Sequence, residues 1–319
     1  MAAFGMGVLV RVWSWLFAAF MVFAPGAALA EGVIQPADKN ALKLNFTVLA
    51  DTHIESFTLF RFQYLRSAMK DVARAGVRSD ALVLVGDNTM NGQFTEYMML
   101  YGILAAHNTS RNTLVAMGNH DINPSTYDYD TALNRHNLFF NGYTGAKNEK
   151  PYYSRVINGY TFIVLGSEES AGTDQVITPA QILWLDETLA GAAQGGKPAF
   201  IFNHQPFNDK THFPDDHPNR PDGHYWYQLD GMGEASQAVF DVVKKYNNVI
   251  FFHGHVHAPL GICETEGVTL VNVWPFTAFT GGNGMYVEAY EDRVLLRWRE
   301  YAFGQWLDWD GWDVYEVAI

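Results

Sequence analysis

Thr113-Leu114-Val115-Ala116-Met117-Gly118-Asn119-His120-Asp121 is the stretch on which the reading of the whole chain turns. An apolar run of strand length ends in an Asn-His-Asp cluster, which offers an amide oxygen, an imidazole and a carboxylate in consecutive residues. Four further clusters follow apolar runs: Asp51-Thr52-His53, Gly86-Asp87-Asn88, Asn203-His204 and Gly254-His255-Val256-His257. Imidazole, carboxylate and amide oxygen without sulfur form a donor set for divalent transition metals, so the clusters together spell a metal centre.

Working outward, 44–50 and 81–85 are apolar runs that deliver Asp51-x-His53 and Asp87. Apolar residues at 57, 60, 64, 65, 68, 69 and 72 predict a helix closed by Gly76. Phe94, Tyr97, Met98, Tyr101, Leu104 and Ala105 predict a second helix. Strand, polar turn, helix, strand is the rhythm of a parallel sheet covered by helices, where ligands collect beyond the carboxyl ends of the strands. The first three clusters fall on that edge.

Downstream, 122–150 is polar and rich in Tyr and Asn, with a short helix expected near 131–139. Runs 151–157 and 160–166 joined by Asn158-Gly159 predict a hairpin with a type I′ turn. Thr178-Pro179-Ala180-Gln181 reads as a capping box opening a helix that carries Ile182, Leu185 and Leu189. Strands at 199–202 and 249–252, with a helix at 234–246 between them, deliver His204 and His253-Gly254-His255. The final third, with runs at 269–273, 284–290 and 293–300, is strand-like and is expected to form a second sheet packed on the first.

Two cations held roughly 3.5 to 4 Å apart need a shared carboxylate, and Asp87, alone between two strand-delivered clusters, is the natural bridge. Asp-x-His, Gly-Asp, Gly-Asn-His-Asp, a lone His and Gly-His-x-His, in that order and each after a strand, resemble the five blocks of the calcineurin-like metallophosphoesterase superfamily. The expected fold is α/β: a four-layer α-β-β-α sandwich of two packed mixed sheets, with the metal site at the carboxyl edge of the strands. The resemblance implies that Asp51, His53 and His257 bind one metal, that Asp87 bridges, and that Asn119, His204 and His255 bind the other. It implies two divalent or trivalent transition metal ions, with Mn, Fe, Co and Zn equally suited to such ligands. It also implies attack by metal hydroxide on phosphorus, with His120 protonating the leaving oxygen and Asp121 orienting and charging the imidazole. As bare residue chemistry, His120 is a general acid or a further ligand of an ordinary structural metal; the site has its ligands without it.

Departures from particular branches narrow the expectation. Met90 stands three residues after Asp87, where purple acid phosphatases place a tyrosine ligand. The stretch 86–92 lacks the arginine of Ser/Thr protein phosphatases, and Asp121 stands where they carry Glu. Gly-Asp-x-Thr-x-x-Gly with Gly-Asn-His-Asp is closer to a bacterial branch that contains cyclic-nucleotide and glycerophosphodiester phosphodiesterases. The expected function is hydrolysis of small phosphodiesters; phosphomonoester hydrolysis by the same site, and a non-catalytic metal-binding module, are the alternatives.

Residues 1–30 differ in kind from the rest. Arg11 precedes an apolar run, Pro25-Gly26 breaks it, and Ala28-Leu29-Ala30 has the small-x-small pattern of a signal peptidase site. Cleavage before Glu31 would leave one domain, 31–319, exported to the periplasm or secreted, with no stable membrane span; retained, the segment approaches the length of an anchor. Net charge is −13, and −14 once Arg11 is lost, which argues against duplex nucleic acid as a partner. A small phosphoester stays possible because a local metal charge overrules the global field. The single Cys263 forms no internal disulfide, and a chain of this length has core enough without one.

Asn88 either contacts a substrate phosphate or ties down its own loop. The stretch 206–230, with His212, His217, His224, Tyr225 and Trp226, leaves from a ligand and is expected to overhang the metals. His253 is expected to be buried or to support a ligand, Tyr127 and Tyr129 to line the pocket or cover the sheet, and His107 and His136 to sit on helix surfaces. Trp306 to Asp313 reads as a turn between edge strands: counted from Asp308, the twelfth position of an EF-hand loop is Ile319 and not Glu.

Overall fold

The computed structural model describes residues 32–122, 128–144, 149–208, 231–257, 261–276, 281–308 and 314–319. In chain order the strands are β1 (Leu44–Leu49), β2 (Ala81–Val85), β3 (Asn112–Ala116), β4 (Tyr153–Ile157), β5 (Tyr160–Val164), β6 (Ser170–Ala171) and β7 (Asp174–Gln175). They continue with β8 (Ala199–Phe202), β9 (Val249–His253), β10 (Gly261–Thr265), β11 (Val268–Asn272), β12 (Asn283–Ala289), β13 (Arg293–Glu300), β14 (Gln305–Trp306) and β15 (Val314–Ala318). The helices are α1 (Leu59–Ala73), α2 (Phe94–His107), α3 (Asn119–Ile122), α4 (Tyr129–Thr144), α5 (Pro179–Ala193) and α6 (Ser236–Val243).

One sheet has the order β14-β13-β12-β1-β2-β3, with β15 also on β13. Strands β1, β2 and β3 are parallel, with Phe46 opposite Ala81 and Val83 opposite Leu114, while β12 meets β1 antiparallel. The other sheet has the order β10-β11-β9-β8-β5-β4, parallel from β11 to β5 and antiparallel at both edges. Strands β1, β2, β8 and β9 are buried at every position, which is why β2 and β8 read as unbroken apolar runs, while β1 buries Asn45 and Thr47 among its apolar residues.

Between the sheets, Phe46 meets Phe162 and Phe200 edge-on, with ring centroids 4.9 Å apart in each case. Outside the first sheet, α1, α2 and α4 pack through Leu65, Met69, Tyr97, Leu104 and Phe140. Outside the second, α5 and α6 pack through Leu185, Leu189, Val239 and Phe240. The layering is α-β-β-α, as expected, with two mixed sheets.

The final third does not make a sheet of its own. β12, β13 and β15 extend the first sheet, while β10 and β11 extend the second. An apolar run shows that a strand is buried and leaves open which sheet recruits it. Gly76 is not a left-handed helix cap either: α1 ends with Arg74 in right-handed geometry, and a Cβ at Gly76 would collide with the Gln35 side chain at 2.2 Å. The Asn158-Gly159 turn does have φ of 52° and 82°, as type I′ requires. Thr178 caps α5, but Gln181 does not complete the box; Glu168 Oε2 accepts from Thr178 N and from Gln181 Nε2. His136 lies in the core and not on a helix surface, on the stripe of Ala132 and Phe140.

The expected leader at 1–30 lies outside the described residues, as do His212, His217, His224, Tyr225, Trp226 and Tyr127. Of the tryptophan-rich turn, 309–313 also lies outside; its flanks β14 and β15 both pair with β13. Among the described residues no helix is long and apolar enough to cross a membrane.

Candidate metal centre

The strand ends stay in register past the strands themselves. Asp51 N donates to Gly86 O at 3.1 Å, His53 N to Asp87 O at 2.9 Å and Ile54 N to Asn88 O at 3.0 Å. On the other sheet, Gly254 N donates to His204 O at 3.0 Å. The two halves meet where the His255 N–H points at the Asp51 carboxylate, 3.2 Å from each oxygen. Such closeness needs glycine: a Cβ at Gly118 would stand 2.2 Å from Asp87 Oδ1, and one at Gly254 2.4 Å from Asp51 Oδ2.

In extended geometry residues two apart share a face but stand about 6.6 Å apart along the strand, so Asp-x-His need not converge on one point. Here Asp51, His53, Asp87, His255 and His257 have φ of 55°, 41°, 46°, 72° and 48°. These are five of the eight non-glycine residues in the left-handed region among the described residues. Each costs on the order of 1–3 kcal/mol, a strain that collects at functional sites.

Two groups of ligand atoms result, each within 4.8 Å of one another: Asp51, His53, Asp87 and His257, and Asp87, His204 and His255. Asp87 belongs to both, as a bridge must. His257 Nε2 lies 3.2 Å from Asp51 Oδ1, and His204 Nε2 lies 3.1 Å from Asp87 Oδ2. Asn119 opens α3, and its Oδ1 is buried with no hydrogen-bond partner among the described residues. His53 Nε2 and His257 Nε2 face each other at 3.0 Å. Two imidazole lone pairs so placed need a shared proton or a cation, and a buried amide oxygen without a donor costs free energy. Divalent transition metals therefore fit this donor set. His204 Nδ1 donates to Val85 O at 2.9 Å, which leaves Nε2 as the atom that would meet a metal once its own proton is lost.

His120 and Asp121 depart from the expected partnership. Asp121 does not touch the His120 ring; its carboxylate accepts from Gly118 N, from both nitrogens of Asn88, and from N and Oγ1 of Thr89, at 2.7 to 3.1 Å. It therefore buckles the Gly118-Asn119 turn to the loop after β2. Burial first, then the Asp87 charge, push its carboxyl up, against five donors that favour the anion. The His120 ring is held instead by Met90, whose carbonyl lies 2.7 Å from Nδ1. A carbonyl only accepts, so Nδ1 carries a hydrogen and Nε2 is left for proton transfer. The His120 and His53 rings stand 4.8 Å apart, and His120 N donates to Asp87 Oδ1 at 2.8 Å. Asn88 is wholly buried and spends its amide on Ala116 O and Asp121, so it ties its loop. His253 is buried with its pKa held down to about 3, chiefly by burial. Tyr129 donates to Ser167 O, and His107 is half-buried in the last turn of α2.

Sequence reasoning weighed only the side chain of Met90 and missed its carbonyl, because a backbone acceptor leaves no trace in residue identity. It also passed over Arg61, whose Nη1 donates to His53 O at 2.9 Å and supports the strained turn.

Burial opposes every charge at the centre. It raises Asp51 and Asp87, yet the His257 hydrogen bond and the His204 charge bring Asp51 below the usual carboxylate range, and His204 does so for Asp87. Burial also lowers His204, but Asp87 carries it up to about 9; His53, where burial dominates, falls to about 4.

Comparison with known proteins matches this arrangement. A family model described as calcineurin-like phosphoesterase matches residues 44–259. Similar solved structures include a dimetal phosphatase from Danio rerio, 16% identical, with a TM-score of 0.63 over 87% of this chain and 99% of that one. GAP50, the anchor in the inner membrane complex of Plasmodium, is 12% identical, with a TM-score of 0.57 over 86% of this chain and 89% of that one. At such identities the likeness is one of fold. No curated protein matches the sequence. The family match spans the five blocks from Asp51 to His257, whose ligand atoms the fold gathers around Asp87, and the chain belongs to the calcineurin-like phosphoesterase family.

Proposed function

We propose that residues 31–319 form one exported domain that hydrolyses small phosphodiesters. The single observation that carries the hydrolase reading is that Asp87 belongs to both ligand groups. Asp51, His53 and His257 would hold one ion and Asn119, His204 and His255 the other, with Asp87 between. When bound, such a pair supplies Lewis acidity at the phosphoryl oxygens and a water of lowered pKa. The chain's own part is positional. Asp87 fixes the spacing, and the Met90 carbonyl sets the His120 ring. His120 Nε2 holds a proton for the departing oxygen, the usual role of a general acid. Support for a diester comes from Gly86-Asp87-Asn88-Thr89, and support for export from the leader-like pattern before Glu31. The net charge of −13 supports a small substrate over duplex nucleic acid.

Hydrolysis of bis(p-nitrophenyl) phosphate beside p-nitrophenyl phosphate, with bound metal counted, tests this. The expected result is a preference for the diester with about two metals per chain. His120→Ala should keep its metals and lose activity by about 10²- to 10⁴-fold. A preference for the monoester would make the protein a phosphatase with the same site; full metal loading without turnover of any phosphoester would make it a binding module. Fractionation of the host and N-terminal sequencing of the mature chain, expected to begin at Glu31, test export.

A further inference from the structure

Helix α2 turns outward without a single charged side chain. Phe94, Thr95, Met98, Tyr101, Ala105 and Ala106 face solvent, with Phe94 49% and Met98 52% exposed. Its one acid, Glu96, is buried and accepts from the backbone of Asn91 and Gln93. A surface helix ordinarily presents polar and charged residues to water. The apolar surface continues at both flanks. Phe57, 95% exposed, and Leu59, 63% exposed, lead into α1, and Ser56 Oγ lies 3.1 Å from Thr95 Oγ1, which sets that tip beside the start of α2. On the other side Leu138 of α4 is exposed, and the Phe139 ring reaches those of Phe94 at 5.1 Å and Tyr101 at 5.9 Å.

Charge identifies what this surface meets. Along α1 the residues Gln63, Arg66, Lys70 and Arg74 face solvent on one stripe, beside the apolar tip. Between residues 56 and 107 there are four acids, and every one is engaged. Asp71 takes Arg299, Asp80 takes Arg111, Asp87 lies in the metal centre, and Glu96 is folded into the start of α2. In a chain of net charge −13, this face combines uncharged aromatic and aliphatic side chains with a stripe of Arg66, Lys70 and Arg74 that no acid among the described residues pairs with, while Glu55 beside the tip pairs with Arg61. Interfacial aromatic and aliphatic residues bury into the headgroup boundary of a bilayer, and Lys and Arg beside them are attracted to anionic lipid.

We propose that this face, made by α2, the 56–60 tip and the basic stripe of α1, docks on an anionic lipid bilayer. The tip begins three residues after His53, so the docked surface adjoins the metal centre. The proposal is independent of the ester preference.

A face-specific probe tests it in the full chain. Gln63→Cys, Ala105→Cys and, on α6 of the opposite layer, Gln237→Cys are each labelled with an environment-sensitive dye; Cys263 is buried. On vesicles of phosphatidylcholine with phosphatidylglycerol, emission from positions 63 and 105 should shift to the blue and that from 237 should not. Combining Arg66→Glu, Lys70→Glu and Arg74→Glu should raise the lipid concentration for half-maximal shift by at least about tenfold. Equal shifts on pure phosphatidylcholine, a shift at all three positions, or no shift would overturn the proposal. So would a blue shift that grows with protein concentration without vesicles, which would assign the face to a second copy of the chain.

Discussion

Adjacent residues His120 and Asp121 do separate work. The imidazole leans on the Met90 carbonyl, while the carboxylate satisfies five donors in two turns. Asp121→Asn keeps the shape but turns an amide donor toward other donors, and should cost about 2–3 kcal/mol in urea denaturation. Because Asp121 does not touch the His120 ring, the limb of the pH–rate profile that reports the His120 proton should stay where it is in this variant. A shift of that limb would restore the expected orienting role. The difference was not legible in the sequence. Gly-Asn-His-Asp shows which groups are present, and a main-chain acceptor thirty positions away carries no letter of its own. The grouping of candidate ligands was legible because each lies within a few residues of a strand end, where short motifs and local structure coincide.

At the scale of elements, the strand ends are where propensity fails. Nothing in Asp-x-His or Gly-His-x-His announces left-handed backbone at five non-glycine residues; those conformations are imposed by the packing of one turn on the next. Gly118→Ala probes that packing, since its Cβ would meet both Oδ1 and N of Asp87 at 2.2 and 2.3 Å. Bound metal should fall from about two per chain to one or fewer, with activity lost in step. Helix α4 offers a cleaner test of a buried titratable group. His136 follows Ala132 and precedes Phe140 at helical spacing, so its inward position was readable, had the histidine been counted with the apolar stripe. Burial holds its pKa down to about 3, against an unfolded value near 6.5. The unfolded chain therefore takes up this proton first as pH falls. The stability associated with the neutral ring is fully present above about pH 6.5 and drains as pH drops toward 3, by on the order of 5 kcal/mol in total. His136→Leu should flatten that part of the fall in urea midpoint between neutral and mildly acid pH; an unchanged slope would place the ring in contact with water.

On the scale of the molecule, a parallel sheet covered by helices followed from strand and helix rhythm, whereas the split of the C-terminal strands between two sheets did not. The sharing matters for energetics. Asp51, Asp87 and Asn119 extend from one sheet, and His204, His255 and His257 from the other. A ligand that binds only the folded state adds RT ln(1 + [L]/Kd), about 2.7 kcal/mol per site at a hundredfold excess over Kd. Chelation should thus lower the melting temperature by several degrees, and Mn or Zn should restore it. His204 must give up a proton that Asp87 holds up to about 9, so at limiting metal the loaded fraction should rise with pH until about that value. Loading that is flat from pH 6 to 9 would mean that His204 is not a ligand.

The seam between the sheets also sets an order of events. Neither ligand group is complete within one sheet, so neither candidate site has its full donor set until the two sheets have closed on each other. A metal would therefore be taken up late. The compartment in which the sheets close would then supply the candidate ions.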